Sequence, residues 1–596
     1  MPPRDSEPVA VPPSAARRGA VLFLLGLVLA LILAWAVQQG RPAALPATLS
    51  ATLSAVSAAA VAQTPQLPCV SYAPFRRPGD TPFDAALRIA PQAIEADLRL
   101  LKAVTGCVRT YGLDHGLDAV PAIARKLGLR VVLGAWIGRD AAANEIQLRR
   151  ALELARDYRD VVQLLVVGNE VLLRRELGPE ALAVLLQRAR RESRVPVSYA
   201  DVWEFWLRHG PVLREHVDVV AAHILPYWED DPVGSEEAVD HVYTVAAQLQ
   251  QHFGNTPVFI AETGWPAAGR QRGPAVPGRF EQAHFVRAML ARQAAQPLQF
   301  NLIEAFDQPW KRALEGAMGG AWGLFDADGI QRVPLAGPLP PDPRWFWLPL
   351  VAVAGAVVGL MAGGWRRRQS TAAPARTDVL AQIALAAAGA LIAAFALLQA
   401  QALPLWSRNA WEWAAGGGAL LLSLICGAAA AGRLAQVLQH GVDRARVGVV
   451  GILVRIPKAP AETGSRLLAV AQFGLLFLAA VDALGLVFDA RYRPLPWPVI
   501  AAPALLLSAL AWLGDRLPAA AREEKLLAAV CAVCAVLVAF LEGPANTQAL
   551  LYAALLLALA GASGWPHRAA PGVPGTAARN SASPASSAAG AAQRVE

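Results

Sequence analysis

Between Cys69 and Arg332, short apolar runs of strand length alternate with amphipathic, charged stretches of helical period. That alternation specifies βα units around a parallel sheet. The runs predict strands over Cys69–Ala73, Val108–Tyr111, Arg130–Ala135, Val162–Glu170, Val197–Ala200, Val219–His223, Val258–Glu262 and Phe300–Ala305. Helices are expected over Pro91–Val104, Glu145–Tyr158, Pro179–Arg191, Glu236–Phe253 and Arg279–Ala294. Eight strands with helices between them make an α/β fold, a closed (β/α)8 TIM barrel, whose chemistry lies at the C-terminal ends of the strands. An open doubly wound sheet would need a Gly-rich phosphate loop after its first strand, and Tyr72-Ala73-Pro74-Phe75 is not one.

Composition places this barrel beside a membrane. With 596 residues, 55% hydrophobic, and a mean hydropathy of +0.36, the chain is too long for one domain and too apolar to be wholly soluble. Residues 1–18 read as a cytoplasmic tail carrying Arg17 and Arg18, and 19–37 as an uncleaved transmembrane signal anchor, since the Ala60-Val61-Ala62 triplet lies too far on for a cleavage site. Residues 38–67, rich in Ala, Ser, Thr and Pro, read as a linker, and 68–338 as the barrel domain. From 339 to 565 apolar stretches make about seven further spans, and 566–596 reads as a disordered cytoplasmic tail.

The positive-inside rule orients these spans. Arg366, Arg367, Arg368, Arg433, Arg444, Arg446, Arg455, Lys458, Arg466, Arg516, Arg522 and Lys525 fall on the side of Arg17 and Arg18; Arg491 and Arg493 break the pattern. The expectation is a multi-pass inner-membrane protein with both termini cytoplasmic, the barrel in the periplasm and the lipid bilayer as a partner. The net charge of +8 comes from arginines that flank apolar stretches, so nucleic acid is not expected as a partner. Asp482, inside a predicted span, is expected to pair with Arg491 or Arg493 or to line a polar path. Cys69 and Cys107 begin neighbouring strands, within reach of a disulfide.

Two of the strand-length runs stop at glutamates, Val166-Val167-Gly168-Asn169-Glu170 and Val258-Phe259-Ile260-Ala261-Glu262. Two carboxylates at a barrel mouth suggest an acid and a nucleophile. Around them the strand ends supply Tyr72, Tyr111, Trp136, Tyr199, Trp203, His223, Tyr227, Trp228, Trp265, Glu304, Trp310 and Lys311 as candidate substrate contacts. Aromatic plates with polar groups between them suit sugars, whose apolar ring faces are edged by hydroxyls. His115, His209, His216 and His223 lack zinc-like spacing, so neither a metal nor a cofactor is expected.

The stretches Val167-Gly168-Asn169-Glu170, Ala261-Glu262-Thr263-Gly264-Trp265-Pro266 and Phe306-Asp307-Gln308-Pro309-Trp310-Lys311, in this order, resemble glycoside hydrolase family 17, the β-1,3-glucanase family. The likeness covers a little under half of the chain. It implies a retaining enzyme on β-glucan, with Glu170 as acid/base, Glu262 as nucleophile, Asn169 as partner of the sugar 2-hydroxyl, and Glu304 with Lys311 as polar support near the acid. Lys311 is expected beside Glu304 or Glu262, because a cation against Glu170 would oppose its work as an acid. A barrel of this kind fused to a polytopic membrane region is also similar to the rhizobial β-(1,6)-glucan synthase proteins. That resemblance implies periplasmic glucan synthesis, branching or remodelling, by hydrolysis or glucanosyl transfer, with a glucan synthase as a further partner. The alternatives are a plain endo-β-1,3-glucanase and a glucan export component whose barrel only binds.

Overall fold

The computed structural model describes residues 13–41, 66–369, 375–442, 446–450, 461–517 and 521–564. Most of the expected linker and N-terminal tail, the C-terminal tail, and Arg444, Arg455 and Lys458 lie outside the described residues. Eight parallel strands, β1 (Cys69–Ser71), β2 (Cys107–Arg109), β3 (Arg130–Ala135), β4 (Val162–Asn169), β5 (Val197–Val202), β6 (Val220–His223), β7 (Val258–Thr263) and β8 (Phe300–Leu302), pair in sequence order. β8 pairs with β1, Cys69 opposite Asn301, so the barrel is closed and the open-sheet alternative is excluded. All eight predicted strands are present; the predicted ends of β1, β2 and β8 run too far, because the residues beyond Ser71, Arg109 and Leu302 already turn into mouth loops.

The helices follow from their apolar stripes. In Pro91–Leu101 the proline sits in the first turn, where no backbone donor is needed, and Ile94, Leu98 and Leu101 at helical spacing bury one face. Between β8 and the helix Trp347–Arg368 only the short turns Pro309–Lys311, Arg312–Glu315 and Gly316–Met318 occur.

Cys69 and Cys107 are bonded, 4.4 Å apart at Cα, inside the barrel among Val132, Leu164, Val166 and Phe259. The β1–β2 register sets Val70 opposite Val108, which brings the preceding cysteines side by side. Closing a loop of 38 residues removes unfolded-state entropy worth about 4 kcal/mol on the chain-entropy model.

Among the described residues, seven helices are long and apolar enough to cross a membrane: Ala15–Gln39, Trp347–Arg368, Arg376–Trp406, Ala410–His440, Gly464–Phe488, Arg522–Glu542 and Thr547–Gly564. An eighth, Trp497–Trp512, is apolar but only 16 residues long. It must nevertheless run back across the bundle, because the segments on either side of the pair it forms with Arg522–Glu542 both touch the barrel. Ala490 and Arg493 accept hydrogen bonds from Arg270, and Ala545 accepts one from Gln271.

The same contacts account for the two arginines that broke the charge pattern. Arg491 pairs with Asp230 of the barrel at 2.9 Å, and Arg493 faces Asp489 at 3.6 Å. Neither pairs with Asp482, whose expected ion pair is absent among the described contacts; Asp482 instead lines a cavity together with Arg493.

Candidate active site

The turn at the end of β4 is built by glycine. Gly168 takes a left-handed φ of 88°, and a Cβ there would meet Val171 Cγ2 at 2.7 Å. Glu170 itself has φ 53°, a conformation that costs a non-glycine residue on the order of 1–3 kcal/mol and clusters at functional sites. The turn beyond it is held from β5: Leu172 N donates to Tyr199 Oη at 3.0 Å, and Tyr199 Oη donates to Asp201.

The end of β7 is built as closely. Gly264 passes β8 where a Cβ would lie 2.3 Å from Ile303 O, and Trp265 anchors the following loop by donating Nε1 to Val276 O at 2.9 Å.

These two turns bring Glu170 and Glu262 to opposite sides of His223. His223 Nδ1 lies 2.9 Å from Glu170 Oε1 and its Nε2 lies 3.6 Å from Glu262 Oε1. The three ligand atoms all lie within 4.8 Å of one another. Such a cluster, which sequence spacing did not reveal, could hold a cation; Glu262 already faces the guanidinium of Arg109. Glu170 keeps 26% of its side chain open to the mouth, whereas Glu262 keeps 6%.

Glu262 is held ionised. Burial alone would raise its pKa, but the neighbouring His223 and the guanidinium of Arg109, with the Tyr111 hydroxyl, outweigh burial and pull it below the ordinary carboxylate range. Arg109, itself buried, donates Nη1 to Glu262 Oε1 at 3.0 Å and to Ala261 O at 2.7 Å, and Nη2 to Asn169 Oδ1 at 2.6 Å. Asn301 Nδ2 donates to Ser71 Oγ at 2.6 Å, and Ser71 Oγ lies 2.8 Å from Tyr111 Oη, so a chain of hydrogen bonds orients the tyrosine.

On the β8 side Lys311 Nζ donates to Glu304 Oε1 at 2.9 Å, one of the two placements expected for it. Burial pushes Glu304 up to about 7 against the opposing charge of Lys311. Burial also opposes the charge on Lys311, yet the carboxylates of Glu304, Glu315 and Glu262 keep it protonated. Glu315, whose carboxyl is raised by burial and then by Glu170 and Glu262, completes the acidic side.

Among the candidate substrate contacts, Asn169, Tyr111, His223, Glu304 and Lys311 gather around the two glutamates. Trp136 is exposed at the rim with Arg174 over its ring at 4.1 Å, and Trp203, Trp228 and Trp310 are partly buried. Tyr72, Tyr199, Tyr227 and Trp265 are core instead. Tyr72 donates to Asp97, Tyr227 donates to Arg270 O at 2.6 Å, and Trp265 packs against Phe285 and Tyr227. They sit at strand ends as expected, and their rings are packed into the surrounding protein. Arg109, Asp201 and Glu315 were missed as site residues. For Arg109 the available signal was an arginine at the end of an otherwise apolar strand.

Residues 69–323 match the family model described as the BtgE/BtgC glycoside hydrolase domain. The matched segment begins at the first residue of β1 and ends beyond β8, so it coincides with the barrel. The chain is 27% identical over 263 residues to the probable beta-glucosidase btgE of Aspergillus fumigatus, covering 43% of this chain and 45% of that protein. It is also 27% identical over 232 residues to the glucan 1,3-beta-glucosidase of Schizosaccharomyces pombe, covering 36% of this chain and 72% of that one. Among solved structures, the glycoside hydrolase family 17 β-1,3-glucanosyltransferase of Rhizomucor miehei aligns with 22% identity and a TM-score of 0.40, over 46% of this chain and 98% of that chain. The chain thus spans under half the length of the Aspergillus relatives it matches, and the membrane helices lie outside the match to the glycoside hydrolase domain.

Beneath Glu170, Asp201 supplies a pH test of the domain. Burial raises its carboxyl to about 6, with the Glu170 charge adding to the shift and the Tyr199 hydroxyl opposing it. The folded state therefore holds this proton more tightly than the unfolded chain. The stability it contributes is complete below about pH 4 and is lost as pH rises through about 6, up to roughly 3 kcal/mol. Asp201→Asn should flatten that fall, so the gap between variant and wild-type unfolding midpoints should change steadily from pH 4 to pH 7 in thermal melts of the full chain. A gap independent of pH would contradict it.

Proposed function

We propose that this protein is a membrane-anchored, retaining β-glucan-active enzyme that works on β-1,3-linked glucan by double displacement. The observation that carries the reading is the separation of the two carboxylates, whose oxygens lie within 4.8 Å across His223. Retaining glycosidases hold their carboxyl groups about 5 to 5.5 Å apart, whereas inverting enzymes need about 6.5 to 9.5 Å to admit a water. Glu262, ionised and buried, attacks the anomeric carbon. Glu170, open to the mouth, protonates the departing oxygen and then takes the proton of the incoming hydroxyl. Because Arg109 occupies Asn169 Oδ1, the Nδ2 of Asn169 is the atom left to donate to a sugar hydroxyl.

The names of the relatives, glucosidases and a glucanosyltransferase, support glucan as substrate. Glucanosyl transfer is favoured over hydrolysis because a second sugar held on aromatic faces competes with water through effective concentration. Product analysis of the full chain in detergent with millimolar laminari-oligosaccharides tests this. Products longer or more branched than the donor, all of retained configuration at the moment of formation, are expected. Only shorter sugars would leave a plain endo-β-1,3-glucanase, and binding without turnover would leave an export component.

The barrel works outside the cytoplasm, in the periplasm of a Gram-negative cell, with both termini in the cytoplasm and a glucan synthase as its partner. An oxidising compartment suits the Cys69–Cys107 bond, and Arg366, Arg367 and Arg368 close the far end of the helix Trp347–Arg368 that follows the barrel. A periplasm-dependent reporter fused after Asp328 should be active and one fused after Arg368 inactive; the reverse pattern would overturn this placement.

A further inference from the structure

The mouth of the barrel is fastened to the membrane region through buried polar contacts. Arg270, in the loop after β7, donates Nη1 to Ala490 O at 2.9 Å and to Arg493 O at 3.1 Å, and pairs with Glu542. Its neighbour Gln271 donates Nε2 to Ala545 O at 2.8 Å and accepts at Oε1 from Thr547 Oγ1 at 2.9 Å. At the exposed edge of the junction, in the loop after β8, Arg312, adjacent to Lys311, donates to Pro404 O. Both Arg270 and Gln271 are buried, and a buried charge is tolerated only when paired and hydrogen-bonded, so this junction is a built one.

Two of the segments held in this way are walls of one cavity. Arg493, and Leu403 with Trp406 on either side of Pro404, line a space of about 110 Å³, room for several waters. Its other polar walls are Gln399, Ser407, Glu412 and Asp482. Gln399 is buried and its Oε1 has no hydrogen-bond partner, while Arg493 Nε makes no hydrogen bond and faces Asp489 at 3.6 Å. Buried polar atoms are nearly always satisfied, so the open acceptor of Gln399 on the wall of this cavity points to a ligand that donates a hydrogen bond. Glu412 is taken up by Arg408 at 2.6 Å, which leaves Asp482 against Arg493, a balance that favours a neutral ligand, and the Trp406 ring and Pro494 and Pro496 supply apolar surface. A neutral polyhydroxylated ring fits that lining.

We propose that this cavity is a sugar-binding site for a glucan chain whose other residues lie in the barrel's cleft. The choice of glucan rests on the β-glucan reading of the barrel. In this arrangement the membrane region extends the row of subsites beyond Trp228, which is itself flanked by Tyr492 of the membrane region at 6.1 Å.

The test uses the full chain in detergent, with Cys426, Cys531 and Cys534 replaced by alanine, Glu262→Gln to prevent turnover, and Ser407→Cys as a reporter. A small methanethiosulfonate reagent should label the reporter, and laminarihexaose, but not maltohexaose, should slow labelling at least about fivefold. Adding Gln399→Leu should abolish that protection. In the otherwise wild-type chain, Gln399→Leu should raise KM for laminarihexaose about tenfold while leaving kcat and the turnover of laminaritriose unchanged. No labelling without sugar, equal protection by both hexaoses, or protection by anionic phospholipid alone would overturn the proposal. If wild type turns over no glucan yet laminarihexaose still protects, the enzymatic reading fails and the site stands. Turnover without protection removes the site and leaves the enzyme.

Discussion

Glu262→Ala is expected to abolish glucan turnover, and added azide should restore it on an activated aryl glucoside with inversion, giving the α-glucosyl azide. The small anion enters the space vacated by the carboxylate and attacks the anomeric carbon directly, so a single displacement replaces two. Glu170→Ala should lose about 10²- to 10⁴-fold on unactivated glucan, the usual contribution of a positioned acid. There azide intercepts the glycosyl-enzyme on Glu262 and the product keeps the β configuration. Opposite anomers from the two variants would assign both roles at once. Near wild-type turnover by either variant, or the same anomer from both, would refute the assignment.

The second large effect is expected at Arg109. Arg109→Met removes the cation shared by Glu262 and Asn169 while keeping much of the side-chain volume. Breaking a buried pair from one side leaves an uncompensated charge and costs about 3–5 kcal/mol. Part of that cost is relieved by protonation of Glu262, which then cannot act as a nucleophile. The variant should therefore melt lower and show a pH–rate profile whose acid limb moves to higher pH, because Glu262 must now lose its proton without the guanidinium's help. A merely structural arginine would lower the melting point and leave the acid limb in place.

The strands and both glutamates were legible because a doubly buried strand is an unbroken apolar run, and a carboxylate at its end stands out against it. The aromatic contacts were less so. Along a strand whose two faces are both apolar, pattern does not tell which ring turns to the mouth, and Tyr72, Tyr199 and Tyr227 turn to the core. Asp201 and Glu315 were hidden for a different reason. Their roles come from burial beside Glu170 and Lys311, and burial of a charge is a property of the folded neighbourhood rather than of the local sequence. The membrane region was legible in its spans, whereas the clamp at Arg270 and Gln271 reads locally as an ordinary polar loop, Gly269-Arg270-Gln271-Arg272-Gly273.

The clamp also bears on the physical form of the substrate proposed above. Loops after β6, β7 and β8 all rest on the helical region, through Asp230, Arg270 and Ala317, so the mouth of the barrel faces that region. Under the β-glucan reading proposed above, a cross-linked sheet or a multi-stranded fibre would have to displace these contacts to reach Glu170 and Glu262, whereas a single slack strand would not.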